Sequence, residues 1–215
     1  MNILAIGAHW DDIEIGCCLT LKRLADAGHT IYCVVMCTSH YEAGEHHGPS
    51  ESQALEQGLN TFELFGANYI ETKKTENGRM SYDKDKMQML EEIGLSYNIG
   101  AVFCHWFGDV NTDHQATWQI ARVAFRRINN LFMYQSNAYS DYVNKFTANC
   151  FQGFDVNEYN LKLKIMQGHS GEWDYRKERW EREIFERERF WGFLCGHDYA
   201  EGFMATKLVN NLLGD

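Results

Sequence analysis

The feature that most constrains this chain is an alternation of short, mostly apolar runs with longer helical patterns over its first two-thirds. Asn2–Ala8, Thr30–Cys37, Tyr69–Thr72, Ala101–Trp106 and Leu131–Gln135 read as strands. Between them Glu14–Ala27, Ser50–Phe65, Asp83–Tyr97 and His114–Arg127 carry apolar residues at helical spacing. Gly28 and Gly66 mark helix ends, and Ser50 is a candidate N-cap. Strands that are apolar throughout are buried on both faces, and strands alternating with helices build a parallel sheet covered on each side. The predicted fold is therefore α/β, a Rossmann-like, mostly parallel sheet with helices on both faces. The last third adds a C-terminal strand over Asn149–Val156 and a long amphipathic helix over Glu172–Leu194. The apolar stripe of that helix is Trp173, Trp180, Ile184, Trp191 and Leu194. A chain of 215 residues fits one domain spanning 1–215, large enough to fold without disulfides or a structural metal.

Composition narrows the partners. Thirty acidic against twenty basic residues give a net charge of −10, which disfavours nucleic acid and anionic membranes. It leaves room for a small anionic group in a local basic pocket, for which Arg79 and Arg179 are candidates. No apolar run reaches the ~18 residues that span a bilayer, and no basic segment precedes the first apolar run as in a signal peptide. The seven cysteines form no C-x-x-C pair, and Cys33, Cys37 and Cys104 fall in the predicted strands, so a reduced, cytoplasmic protein is expected. The expected partner is a small molecule. The tryptophan stripe packs on the sheet or on a second copy of the chain, so a homo-oligomer is a candidate assembly.

Open parallel sheets bind ligands beyond the carboxyl ends of their strands, where strand order reverses. The loop after the first strand reads His9-Trp10-Asp11-Asp12-Ile13-Glu14-Ile15-Gly16, and that after Ala101–Trp106 contains Asp109-Val110-Asn111-Thr112-Asp113-His114. One His and one Asp from the first loop with one His from the second make three N/O ligands. Such a set suits zinc, leaves a fourth position open, and spares a carboxylate to serve as general base. Alone, each fragment reads first as a helix cap: Asp-Asp before the first helix, or Asp113 before the later one. His40, His46 and His47 lie in a polar loop, Ser39–Gly48, and read as solvated or lid residues. His105 reads as strand-end packing, and Cys17 and Cys18 as small buried residues. A nucleotide-binding Rossmann protein is excluded by the missing G-x-G-x-x-G after the first strand.

His9-x-Asp11-Asp12-x-Glu14-x-Gly16 after an apolar strand resembles the opening motif of the LmbE-like, or PIG-L-like, N-acetylglucosaminyl deacetylases. Asn111-Thr112-Asp113-His114 is similar to their second motif, x-x-Asp-His. Tyr199-Ala200-Glu201-Gly202-Phe203 and the spacing of Lys162 and His169 match more weakly. The resemblance implies a Rossmann-like fold and hydrolysis of the N-acetyl group of an amino sugar or its conjugate. It implies His9, Asp12 and His114 as ligands of zinc or another divalent metal, and Asp11 as the general base that then protonates the leaving amine. Several positions depart from the family. Trp10 replaces the usual Pro, so the loop must be stiffened by packing of its indole. Cys18 and Leu19 replace smaller residues and are expected to narrow the pocket. Asn111 stands where many members have a His that stabilises the oxyanion, and is assigned that role here as a non-titrating donor. Asp113 is expected behind Asn111 or a neighbouring ligand, and Asp109, where some members have a Tyr, against substrate. Asn77-Gly78-Arg79 resembles a family Asp-Gly turn. The loops Ser39–Pro49, Thr72–Tyr82 and Asn137–Asn149 are expected to face substrate. A metal-dependent amidase on a non-sugar substrate, or a non-catalytic metal-binding relative, would carry the same ligands.

Overall fold

A computed structural model describes residues 1–43, 46–136 and 145–209. Its elements follow in the order β1 (Asn2–Gly7), α1 (Asp12–Asp26), β2 (Thr30–Val35), β3 (Glu42–Ala43), β4 (His46–His47), α2 (Glu51–Leu64) and β5 (Ala67–Tyr69). Next come α3 (Lys84–Ser96), β6 (Ile99–His105), α4 (Thr112–Ala124) and β7 (Asn130–Tyr134). The chain ends in β8 (Cys150–Phe154), α5 (Val156–Gln167), α6 (Ser170–Cys195) and β9 (Tyr199–Leu208). Seven strands form one sheet in the order β5-β2-β1-β6-β7-β9-β8. The first five run parallel, and β9 and β8 join antiparallel at the far edge.

Two cores follow from the alternation of side chains along each strand. Ile3, Ala5, Ile31, Cys33 and Phe103 face α1, α2 and α5. Leu4, Ile6, Val34, Val102 and Cys104 face α3 and α4. Both faces are thus covered, which is why the strands read as unbroken apolar runs. Strand order reverses at β1, whose neighbours are β2 and β6. The loops after β1 and β6 therefore open side by side at the carboxyl ends of the strands.

Helix boundaries agree with local chemistry. Ser50 caps α2 in a capping box with Gln53. Asn111, not Asp113, caps α4: its side chain accepts from the backbone N–H of Asp113 and His114. Besides the short β3–β4 hairpin, which forms in the predicted polar loop, two elements have no counterpart in the predicted set. α5 is amphipathic only weakly and buries Lys162, while β9 buries Glu201 beside Gly202. The stripe of α6 also differs. Trp173, Trp180, Ile184 and Trp191 are buried, but Leu194 is 53% exposed, and Glu188 takes a buried place on that face. The reason is Lys162, whose ammonium meets Glu188 and Glu201 at 2.7 and 2.9 Å.

Candidate active site

At the mouth of the β1/β6 crevice a cavity of about 290 Å³ is lined by His9, Asp11, Asp12 and His114, with Asn111, Ser136, Tyr41, His169, Glu172 and Arg176 around them. The first four come from the two predicted loops. Asp12 begins α1 and is buried. Its Oδ1 lies 3.2 Å from His114 Nε2, its Oδ2 lies 3.4 Å from His9 Nδ1, and Oδ2 also accepts the His9 backbone N–H at 2.7 Å. One donor atom from each of His9, Asp12 and His114 falls within 4.8 Å of the other two.

The remaining ring nitrogens are held from behind. His9 Nε2 lies 3.1 Å from Asp113 Oδ2, and His114 Nδ1 lies 2.9 Å from Asp109 Oδ2. A carboxylate behind each imidazole fixes its orientation and raises its basicity, the arrangement that supports metal-ligating histidines. The charges report the same design. Burial opposes a charge on His9, but Asp113 and Asp12 prevail and raise its pKa to about 9. Burial likewise opposes His114, and Asp12 and Asp109 raise it to about 10. Burial works against ionisation of Asp12, yet His114 and His105 hold its carboxyl well below the usual range. Two nitrogens and one oxygen in a field that favours positive charge fit a divalent cation such as zinc. Two other groupings, His9/Cys37/Asp113 and His105/Asp109/His114, also converge. Cys37, Asp113, His105 and Asp109 are all buried away from the cavity lining, so the His9/Asp12/His114 set alone is open to a ligand throughout.

Asp11 sits at the N-cap position of α1, but its backbone is helical and its side chain makes no capping bond. That carboxylate is spare, and it lines the cavity beside the ligand cluster. Burial, with Asp12 and Glu172, raises its pKa to about 6, against the pull of His169 and Arg176.

Trp10 is buried where the motif usually has Pro. Its indole lies against Gly58, where an added Cβ would come within 2.0 Å of the ring, and it meets the Tyr69 ring at a tilt of 45° with centres 5.0 Å apart. Its backbone N–H donates to Ser39 Oγ. Packing thus stiffens the loop in place of a proline ring. Gly16 serves the same end, since a Cβ there would strike the Tyr134 ring at 2.2 Å.

Other expected site residues fall elsewhere. Asp109 is buried behind His114 and accepts the Asn111 N–H, so its carboxylate is consumed inside the protein rather than offered to substrate. Arg79 extends into solvent and pairs with Glu76 at 2.8 Å, and Arg179 pairs with Glu183 at 2.8 Å; neither lines the cavity. Asp113 is freed from capping by Asn111. It binds His9 and the N–H groups of Gly78 and Met80, fixing the 77–80 turn, where Gly78 has φ +75°. Asn111 lines the cavity, but its Oδ1 is committed to the cap, which leaves its NH₂ as the donor it can offer. Cys18 and Leu19 are in the core under α1 and do not narrow the cavity. His105 is fully buried, accepts the Ala8 N–H at 2.9 Å and stacks on His114 with ring centres 4.0 Å apart. His40 is exposed. Of the substrate-facing loop Asn137–Asn149, residues 137–144 lie outside the described residues, as do 44 and 45 of the Ser39–Gly48 loop, whose remainder includes the β3–β4 hairpin.

Of the distal wall, Tyr41 lies in the Ser39–Pro49 loop expected to face substrate, whereas Glu172 and Arg176 are not among the expected site residues. Tyr41 OH lies 3.1 Å from Glu172 Oε2 and accepts from Arg176 at 2.8 Å. His169, Glu172 and Arg176 follow at i, i+3 and i+7, one stripe of the α6 start beside the tryptophans. That spacing is the signal in the sequence, hidden among many other Arg and Glu residues.

Comparison with known proteins gives a consistent result. Residues 4–125 match the profile of the GlcNAc-PI de-N-acetylase (PIG-L) family. YaiS of Escherichia coli, named an uncharacterized deacetylase, is 30% identical over 171 residues, covering 78% of this chain and 90% of its own. The N,N'-diacetylchitobiose deacetylase of Pyrococcus horikoshii superposes with a TM-score of 0.81 at 19% identity, over 95% of this chain and 83% of that one. GalB of Pseudomonas putida, a 4-carboxy-2-hydroxymuconate hydratase, superposes with a TM-score of 0.76 at 17% identity, over 98% of both chains. At such identities the two structures speak to the fold alone, and the fold hosts more than one chemistry.

Proposed function

This chain belongs to the PIG-L, or GlcNAc-PI de-N-acetylase, family of deacetylases, and from that premise we propose that it is a metal-dependent N-deacetylase of an amino sugar or a small amino-sugar conjugate. The observation that carries the reading is a spare carboxylate, Asp11, next to a three-ligand cluster in one cavity. His9, Asp12 and His114 would hold the ion. When bound, a divalent metal supplies Lewis acidity, polarising a carbonyl oxygen and bringing the pKa of water towards ~7.

The chain's own groups divide the remaining work. Asp11 takes a proton from the attacking water; being ionised only above its raised pKa of about 6, it is basic enough for the task near neutrality. The NH₂ of Asn111 donates to the acetyl oxygen as charge develops there. Asp109 and Asp113 keep the two imidazoles in register. Tyr41, Glu172 and Arg176 offer donors and acceptors for substrate hydroxyls. A cavity of about 290 Å³ suits one sugar ring rather than a large aglycone.

Among the described residues no helix is long and apolar enough to cross a membrane. All seven cysteines are free thiols, which accords with a reducing, cytoplasmic setting. Acetate release from N-acetylated sugars, nucleotide sugars and acyclic N-acetyl amines, with and without added zinc, tests the reading. Turnover confined to sugar substrates and abolished by chelation is expected. Turnover only on acyclic amides would replace the sugar by another amide, and metal-independent turnover would remove the proposed role of the cluster.

A further inference from the structure

Hydrolysis of an amide needs a proton for the departing nitrogen, and Asn111 has none to give. Across the cavity stands His169, at the start of α6, buried but part of the lining. Its Nε2 lies 2.9 Å from Oε1 of Glu14, a carboxylate on α1 that is itself fully buried. The Thr61 hydroxyl lies 2.5 Å from the same oxygen, and Oε2 of Glu14 has no hydrogen-bond partner among the described residues. A cation at the other oxygen offsets the cost of burying a carboxylate with one oxygen unserved. His169 is the ionisable base in contact with it. With Nε2 engaged by Glu14, Nδ1 is the nitrogen left for the cavity, and no hydrogen bond to Nδ1 is formed among the described residues.

We propose that His169, charged by Glu14, is the general acid that protonates the leaving amine, in place of Asp11, to which the family resemblance gives that step. The inference rests on the deacetylase reading. As the acetyl C–N bond breaks, its electron pair stays on nitrogen, and the nitrogen forms a bond to the Nδ1 proton. His169 is left as neutral imidazole, with its Nε2–H donating to Glu14. Asp11, holding the proton taken from water, returns it to His169 by way of solvent as products leave. The immediate products are the free amine and acetic acid, which then ionise. Proximity supports the exchange, since Asp11 and His169 line the same cavity. The carboxylates facing the ring are Glu14 and Asp11 from the α1 side and Glu172 from α6, with Arg176 the cation one turn further along. Burial opposes the charge on His169, and Glu14 foremost, then Asp11 and Glu172, raise its pKa above the usual value. Proton donation is therefore lost as pH rises through that elevated pKa, which produces an alkaline limb.

The test compares two leaving groups in zinc-loaded protein: the N-acetylated substrate that wild type turns over, and p-nitrophenyl acetate, whose phenolate departs without a proton. His169→Asn is expected to lower kcat on the amide by ~10²–10⁴-fold with KM nearly unchanged, to keep ester hydrolysis within a few-fold, and to retain zinc. Glu14→Gln is expected to move the alkaline limb of amide hydrolysis down towards the ordinary histidine value of ~6.5. It carries the test if His169→Asn fails to fold. Equal losses on amide and ester, or an alkaline limb unmoved in Glu14→Gln, would overturn the proposal. Amide turnover that persists in His169→Asn would overturn this inference alone, whereas wild type inactive on every amide would overturn the deacetylase reading with it.

Discussion

On one side of the cavity His9, Asp11, Asp12 and His114 stand on loops leaving two adjacent parallel strands. On the other, His169, Glu172 and Arg176 stand on α6, a helix that reaches the sheet through contacts with α5 and β9. The first wall is anchored by backbone pairing of β1 to β6, and each imidazole has a carboxylate behind it. The second is anchored by a buried charge network. Lys162 Nζ bonds Ile15 O, Glu188 and Glu201, and Glu201 bonds the N–H groups of Leu19 and Thr20. Ile15 O and Leu19 N would be partners in a regular helix, so the ion pair grips α1 through its own backbone. The comparison teaches that the chemistry and its support are separable: the proposed ligands and base depend on strand ends, while the opposite wall depends on ion pairs far apart in sequence.

That separation makes the expected effects unequal. The largest belongs to Asp12→Ala, which should lose both zinc and turnover, because Asp12 is shared between the two imidazoles. Metal content and acetate release measure it, and Arg176→Ala on the opposite wall should keep its zinc. If both variants lose zinc, the walls are not independent. Next is Asp11→Asn, expected to hold zinc while kcat falls ~10²–10⁴-fold. In wild type, activity should rise with pH through about 6, since the base works only when ionised and its folded pKa is raised; this acid limb should vanish in the variant.

Lys162→Met should act on the support instead. It strands Glu188 and Glu201 as buried carboxylates, a loss of ~3–5 kcal/mol of stability by urea unfolding, with zinc affinity in the folded fraction little changed. A variant as stable as wild type would show that the network is neutral. Asp109→Asn should weaken zinc binding by ~10–100-fold, read by competition with a chelator, because His114 loses its orienting carboxylate. The smallest effect separates the two duties of Asn111. Asn111→Ala should lower stability by ~1 kcal/mol through loss of the cap, whereas Asn111→Ser keeps a cap acceptor. A fall in kcat common to both variants would report the amide donor, and normal turnover in Asn111→Ser would leave Asn111 as a cap only.

Much of this was legible in the chain itself, because the determinants are local. Mostly apolar runs of four to eight residues, stops such as Gly28 and Gly66, and the capping box at Ser50 act within a few residues of themselves. They yield the parallel sheet, and strand order then brings His9, Asp12 and His114 to one place, since both motifs sit at carboxyl ends of neighbouring strands. The burial of Trp10 was foreseeable from the missing proline; its cradle at Gly58 was not, because that residue is 48 positions away. Tertiary structure alone decided how each polar side chain is spent. Asp109 and Asp113 look alike in sequence, yet one is turned to His114 and the other to His9. Arg179 points away while Arg176 enters the cavity. Lys162, which falls in no predicted element, and Glu188, among the charged residues of the long helix, are buried because each finds the other and Glu201 across three elements. The burial of a charge is set by partners that sequence proximity does not supply, whereas an apolar run is driven inside whatever it meets.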